Sequence, residues 1–222
     1  MNNKKVVCVT GASGYIASWI VKLLLFHNLH NLVALAELCS VVFNGRPLGP
    51  EVIVDETWFS DPDYCKKIKN WYYLSKTLAE DKAWKFAKAN SINLISINPL
   101  IVIGPLLQPT LNRTIEDILD LIRATTYPNS VGAFVNVRDV ANAHIQALEI
   151  PSTNGRYRVV ESVFVIFILI FNFPPSVLMT YLWFQQLEFQ KERFKSLGIT
   201  EFIPLKLSLK DTVESLKDKL LL

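Results

Sequence analysis

Two short patterns in this 222-residue sequence combine residue types that can do chemistry. Tyr72-Tyr73-Leu74-Ser75-Lys76 sets a phenol and an ammonium four residues apart, which on a helix is one face. A neighbouring cation favours the phenolate and lowers the tyrosine pKa from ~10 towards neutrality. Such a tyrosine can give a proton to a carbonyl oxygen as hydride reaches the carbon. A solvated helix face explains the same spacing, so the pattern gains weight only from its context. That context is Thr10-Gly11-Ala12-Ser13-Gly14-Tyr15-Ile16-Ala17, which follows the apolar run Val6–Val9 and opens an apolar-periodic segment. Gly11 permits a tight turn, Gly14 lets backbone N–H groups approach a pyrophosphate, and Ala17 lets a helix pack close to a strand. The positive end of that helix would face the phosphates of a dinucleotide. A plain strand–turn–helix is the bland alternative.

These groups need elements to hold them. Residues 5–10 predict a buried strand, and Gly14 to about Phe26 a helix with Ile16, Ile20, Leu23 and Leu24 on one face. Residues 31–43 are ambiguous, and Asn44-Gly45-Arg46-Pro47 marks a turn. Trp71 to Asn90 predicts the strongest helix, with Trp71, Leu74, Leu78, Ala83 and Ala87 at helical spacing. A strand follows at Ile92–Ile97, ended by Pro99. Thr114-Ile115-Glu116-Asp117 and Ser208-Leu209-Lys210-Asp211 read as capping boxes opening two further helices. Val131–Val137 predicts a strand and Arg138–Glu149 a helix. The alternation implies a parallel α/β sheet.

Composition narrows the function. Half the residues are apolar and 19% are charged, the balance of a globular chain. The net charge of +3, without a basic block, points away from nucleic acid. Cys8, Cys39 and Cys65 lie far apart, without metal-ligand spacing, and fit a reducing compartment. His27, His30 and His144 suggest no ligand set or triad, and His144 reads as a packed or surface residue. Asp55-Glu56 and Asp61-Pro62-Asp63 read as solvated turns. The N-terminus offers no signal-peptide core, so a cytoplasmic location is expected. The 26 residues from Ser162 to Leu187 carry no charge, a length that could cross a bilayer. Pro174-Pro175 splits them, and Val163–Phe171 suits a buried strand, which favours a buried segment over a membrane span.

Six segments, VTGASGYIASW (9–19), FNGRPL (43–48), DETWFSDP (55–62), WYYLSKTLAE (71–80), INPLIVIGPLLQPTLN (97–112) and VNVRDVANAHIQA (135–147), resemble in order the plant extended short-chain dehydrogenase/reductases. The branch is that of dihydroflavonol reductase, cinnamoyl-CoA reductase, and the cinnamyl-alcohol-dehydrogenase-like and phenylacetaldehyde reductases. FIPLKLSLKDTVESLK (202–217) resembles the end of the same proteins. The resemblance implies an NADPH-dependent reductase turning an aldehyde or ketone, phenylpropanoid-like, into an alcohol. It implies Tyr72 as catalytic acid, with Lys76 binding the ribose and tuning Tyr72. Gly11, Ala12, Ser13, Gly14, Tyr15, Ile16 and Ala17 would hold the pyrophosphate. Pro99, Leu100, Ile101 and Val102 would line the nicotinamide, and Thr114 would stand near a cofactor contact.

The departures are as informative. Gly11 and Tyr72 are 61 residues apart, where the family needs well over a hundred. Reaching the fifth strand of such a sheet takes four βα units, each about half of a ~30-residue βαβ. The strand bearing the basic residue for the 2′-phosphate is therefore missing or unrecognisable, and the adenine contact and a strand over the nicotinamide are missing. Ala36-Glu37 stand where the family has serines, and Ser40 lies about three positions late. The expected fold is a truncated Rossmann-like, doubly wound parallel sheet over residues 1–110, with a small C-terminal substrate region over 111–222. The expected partner is a small carbonyl compound. Two other outcomes stay open: an inactive, nucleotide-binding remnant, and a nucleotide-sugar epimerase or dehydratase, which shares both chemical patterns.

Overall fold

The computed structural model describes residues 14–27, 34–36, 43–46, 52–124, 131–165, 188–189 and 192–221. The strand expected at residues 5–10, Gly11, Ala12, Ser13 and Ser40 lie outside the described residues, as does 166–187. In chain order the elements are α1 (Tyr15–His27), β1 (Ala34–Ala36), β2 (Ile53–Val54), α2 (Pro62–Lys67), α3 (Trp71–Ala89), β3 (Ile95–Pro99) and β4 (Ile101–Ile103). There follow α4 (Arg113–Arg123), β5 (Val131–Asn136), α5 (Val137–Glu149), β6 (Gly155–Val159), β7 (Ser162–Val165), β8 (Glu188–Phe189), α6 (Glu192–Lys195) and α7 (Leu205–Asp218).

The expected parallel sheet is present. β3 pairs in parallel with β1 on one side and β6 on the other, in the order β1-β3-β6. After Leu100 alone the chain re-enters extended structure as β4, which pairs in parallel with β5. β7 adds an antiparallel edge to β5, with Val163 opposite Ala133 and Val165 opposite Val131. The start of the uncharged stretch is thus a strand, as its β-branched composition suggested. No helix among the described residues is long and apolar enough to cross a membrane.

Strand alternation divides the sheet into two unlike faces. Ile95 and Ile97 of β3, with Tyr157 and Val159 of β6, join the main core. That core is closed by Tyr15 and Trp19 of α1, by Val137, Val140 and Ala141 of α5, and by Leu205 and Leu216 of α7. The opposite face is polar: Ser96 lies beside Arg156 and Asn98 beside Arg158, all buried. This is the face that receives α3, so helices cover both sides, as a doubly wound sheet requires.

On α3 Trp71 and Leu78 are exposed, Trp71 at 62%, Leu74 is half-buried, and Ala87 is buried with Thr77 and Glu80 on the side that meets the polar face of the sheet. Two expectations need correction. Neither capping box opens its helix. α4 starts at Arg113, with Asn112 as N-cap, and α7 starts at Leu205. Ser208 is instead buried inside α7, where its Oγ accepts from Asn136 Nδ2 at 3.0 Å. Asp61, read as a solvated turn residue, is the N-cap of the unforeseen α2, its Oδ1 accepting from Tyr64 N at 2.7 Å. Pro62 follows at the first helical position, where its missing N–H costs nothing.

Two buried ionisable groups on α5 oppose each other in pH. Burial holds the His144 imidazole down at about 4, with Nδ1 2.7 Å from the Val140 carbonyl. Burial pushes the Asp139 carboxyl up to about 6, although it accepts from Ile203 N at 2.9 Å. A lowered histidine pKa makes His144 contribute stability above 6.5 that is lost as pH falls towards 4. A raised carboxyl pKa makes Asp139 contribute stability below 3.8 that is lost as pH rises through 6. Asp139→Asn keeps an acceptor for Ile203 N. It should raise stability at pH 8 by about 1–2 kcal/mol and leave it unchanged near pH 4. Urea unfolding at the two pH values measures this, and an equal gain at both would contradict the assignment.

Candidate active site

The site is framed by one buried ion pair. Tyr72, Lys76 and Glu80 recur every fourth residue along α3, so one helix face carries all three. At its buried end Glu80 Oε1 accepts from Arg156 Nε at 2.6 Å, and Oε2 accepts from Arg156 Nη2 at 2.8 Å. The fork is bidentate, with both side chains about 5% exposed or less. Ser96 Oγ donates to the same carboxylate at 2.9 Å, and Trp84 Nε1 at 3.2 Å. Asn98 Nδ2 donates in turn to Ser96 Oγ at 2.9 Å. Arg156 Nη1 donates to the Trp58 and Glu56 carbonyls at 2.8 and 3.0 Å, and its guanidinium lies 3.9 Å from the Phe59 ring centroid. One cluster therefore ties α3, β3, β6 and the 55–61 loop together.

That cluster fixes the rotation of α3 about its axis. Lys76 Nζ lies 5.8 Å from the centre of the Tyr72 ring, and Tyr72 is 49% exposed. Tyr73, next along the helix, packs against Phe43 with ring centroids 4.1 Å apart. Asn70 caps α3 by accepting from Tyr73 N at 3.3 Å. The FNG turn is formed as expected, with Gly45 at φ 73° and its Cα against Tyr64, so a side chain there would be strained and crowded.

The second part of the site lies where β4 ends. Of the fingerprint, Gly14, Tyr15, Ile16 and Ala17 are described, and α1 begins at Tyr15. The Tyr15 side chain is buried, and its hydroxyl donates to the Gly104 carbonyl at 2.8 Å. Burial pushes that phenol far above its ordinary pKa, so it stays protonated. Any ligand contact at Tyr15 would therefore use its backbone. Trp19 Nε1 donates to the Pro105 carbonyl at 2.9 Å. Gly104 is the hinge of this junction: its φ is 127°, and a Cβ there would sit 3.1 Å from Val137 Cγ1. α7 supports the same loop, Thr212 Oγ1 and Ser215 Oγ accepting from Gly104 N and Leu106 N at 2.8 and 2.9 Å.

Pro99, Leu100 and Val102 are buried and Ile101 is half-buried, which leaves this segment rigid. Thr114 Oγ1 donates to the Val102 carbonyl at 2.8 Å, so the structure brings those two candidates together. Tyr72 and Lys76 are joined to the same segment through Glu80, Ser96 and the continuous chain of β3. Val159 pairs with Pro99, and β6 runs on into a cleft of about 390 Å³ walled by Glu161, Phe194, Ile199, Phe202 and Pro204. Phe194 and Phe202 stack there at 4.7 Å. The cleft therefore lies just beyond the carboxyl end of β6, one of the parallel strands.

No family model matches the chain. The chain is 48% identical over 204 residues to Cinnamoyl-CoA reductase CAD2 of Medicago truncatula, covering 86% of this chain and 62% of that protein. It thus spans about three-fifths of the length of that relative. It is 34% identical to Cinnamoyl-CoA reductase 1 of Petunia hybrida over 311 positions, covering 97% of this chain and 93% of that protein. Since 222 residues cannot fill 311 positions, a long internal block of the relative has no counterpart here. Among solved structures the fold is similar to vestitone reductase from alfalfa, with a TM-score of 0.80 at 21% identity over 99% of this chain and 100% of that one. It is also similar to yeast Gre2 complexed with NADPH, with a TM-score of 0.73 at 19% identity over 96% and 98%. The fold is that of an extended short-chain reductase. The chain belongs to the cinnamoyl-CoA reductase family.

Sequence reasoning missed Glu80 and Arg156. The repeat of Tyr72, Lys76 and Glu80 at intervals of four was the available signal, whereas Arg156 on a strand carried none. Removing one partner of a buried pair strands the other charge. Glu80→Ala should therefore lower unfolding free energy by about 3–5 kcal/mol, while the double replacement Glu80→Met, Arg156→Met should recover more than half of it. Urea unfolding of the two variants checks this, and a double variant no more stable than Glu80→Ala would contradict the coupling.

Proposed function

We propose that the chain reduces an aldehyde or ketone to an alcohol with NADPH, Tyr72 supplying the proton. The observation that carries this reading is the Tyr72–Lys76 pair on a helix locked to the sheet by Glu80 and Arg156. The names of the relatives and the NADPH held by yeast Gre2 support the reaction class and the cofactor. The described residues fit two parts of such a cofactor: a largely buried Pro99–Val102 segment with Thr114 on the Val102 carbonyl for the nicotinamide side, and a helix start at Tyr15 for the pyrophosphate. NADPH, when bound, supplies the hydride.

Lys76 would hold the ribose hydroxyls and, as a cation beside the phenol, ease loss of the Tyr72 proton. Tyr72 would donate that proton to the carbonyl oxygen, which becomes the alcohol oxygen. Pro99–Val102 would present one face of the nicotinamide. The cleft around Phe194 and Phe202, in the 111–222 substrate region, suits the ring of an aromatic carbonyl compound. The block without counterpart is where the family's adenine-side contacts would lie. The affinity for NADPH should therefore be weak, and its preference over NADH small.

A second reading, a nucleotide-binding remnant without turnover, is favoured by that same internal loss and by Ala36-Glu37 in place of the family's serines. Calorimetry and turnover of cinnamaldehyde separate the two. Wild-type chain should bind NADPH at micromolar or weaker dissociation constant and turn over slowly. Tyr72→Phe should keep that affinity and lose turnover about a hundredfold or more. Binding without any wild-type turnover would establish the remnant, and unchanged turnover in Tyr72→Phe would overturn the assignment of the proton donor.

A further inference from the structure

Between Val102 and Thr114 the chain carries polar groups that the fold itself does not use. Gln108 is only 6% exposed, yet neither its Oε1 nor its Nε2 has a hydrogen-bond partner among the described residues. Four residues on, the Asn112 Oδ1 is also buried and without a partner. Asn112 stands at the N-cap of α4 but makes no side-chain capping bond; its Nδ2 donates to Thr114 Oγ1 at 2.6 Å instead. Burying an amide without partners destabilises a fold, and native proteins rarely keep such a group without a use for it.

The neighbours of Gln108 are fixed in place, which makes the waste harder to explain as slack. The 104–106 segment is bonded to α1 through Tyr15 and Trp19 and to α7 through Thr212 and Ser215. Thr114 closes the other end against the Val102 carbonyl. Pro109 immediately after Gln108 restricts its backbone to extended conformations. A loop so held could have taken leucine at position 108 without loss of any bond.

We infer that Gln108 is a ligand-recognition residue, whose buried carboxamide, with the Asn112 carbonyl, reads a neutral group of the bound ligand that both donates and accepts hydrogen bonds. The charge balance selects that class. Residues 104–112 contain no charged side chain, and two of the three orphaned atoms are carbonyl oxygens. A phosphate or carboxylate, which only accepts, would satisfy Nε2 and leave both oxygens facing an anion. A primary carboxamide or a hydroxyl satisfies donor and acceptor together. Two sources offer that chemistry in a reductase of the kind proposed above, on which this inference rests: the carboxamide of the nicotinamide ring and a hydroxyl on the carbonyl substrate.

Gln108→Leu in the full chain tests it, because leucine keeps the bulk and removes the amide. The melting temperature without ligand should stay the same or rise, since an unsatisfied buried group is removed. NADPH affinity, read by calorimetry, should fall about tenfold if the cofactor's carboxamide is the partner. If NADPH affinity is unchanged, the NADPH-loaded variant should lose the wild type's preference for 4-hydroxybenzaldehyde over benzaldehyde, the signature of a substrate hydroxyl. Either loss supports the inference. A clear drop in melting temperature, or unchanged binding of all three compounds, would overturn it and leave Gln108 a packing residue or a water site. Failure of the wild type to bind NADPH at all would instead overturn the reductase reading, and this inference with it.

Discussion

The bidentate bond between Glu80 and Arg156 is the constraint on which the arrangement of this molecule turns. A sheet whose strands are buried on both faces is ordinarily apolar on both. Here Ser96, Asn98, Arg156 and Arg158 make one face polar, and a helix laid on it must bring charge of the opposite sign. Glu80 brings that charge, Ser96 and Trp84 add hydrogen bonds to it, and the backbone carbonyls of Trp58 and Glu56 accept from Nη1 of Arg156. Buried ion pairs contribute modestly to net stability because desolvation offsets much of the attraction. Their value here is geometric: a bidentate fork fixes an angle and a register that an apolar contact leaves free. Arg158, pushed down to about 10 by burial and still a cation at neutral pH, extends the same logic to the Val54 carbonyl.

From that bond the consequences run in both directions along α3 and β3. Eight residues back along the helix, Tyr72 takes its place on the same face; forward along the strand, Ser96 leads through Pro99 into β4 and the Gly104 junction. That junction is held from the other face of the sheet by α1, α5 and α7. The two halves of the candidate site, a proton donor on one helix and a rigid segment at the end of a strand, thus hang on one continuous chain of bonded groups. The relatives carry a long block that this chain lacks, yet the groups joined by this network all lie outside the missing block.

Much of this frame was legible in the sequence. The Gly14–Ala17 helix start, the FNG turn, the helix bearing Tyr72 and Lys76, and the strand–helix pair at 131–149 follow from turn chemistry and periodicity, and all are present. What failed has a common cause. Periodicity located the α3 helix but not its buried face, because the sheet surface beneath it is polar. The capping boxes at Thr114 and Ser208 matched a local pattern, but tertiary demands claimed both hydroxyls, one for the Val102 carbonyl and one for Asn136. Glu80 and Arg156 act through partners far away in sequence, and no local pattern reports such a distance. A parallel sheet was implied by alternation, but not the order β1-β3-β6, since residues 31–43 were ambiguous and β6 carried no signal. Nor was the antiparallel pairing of β7 implied, since only its Val and Phe content could be read.

Hydrogen exchange of the purified, ligand-free chain followed by mass spectrometry tests the central claim most directly, namely that the bonded frame under Tyr72 and Lys76 persists without the missing block. The account predicts slow exchange for the amides of Trp71–Ala89, Ile95–Asn98 and Gly155–Val159 as one cooperative unit. In Glu80→Ala that protection should fall across all three segments together. Exchange of α3 at the rate of an unstructured peptide, or loss of protection in Glu80→Ala confined to α3, would contradict it.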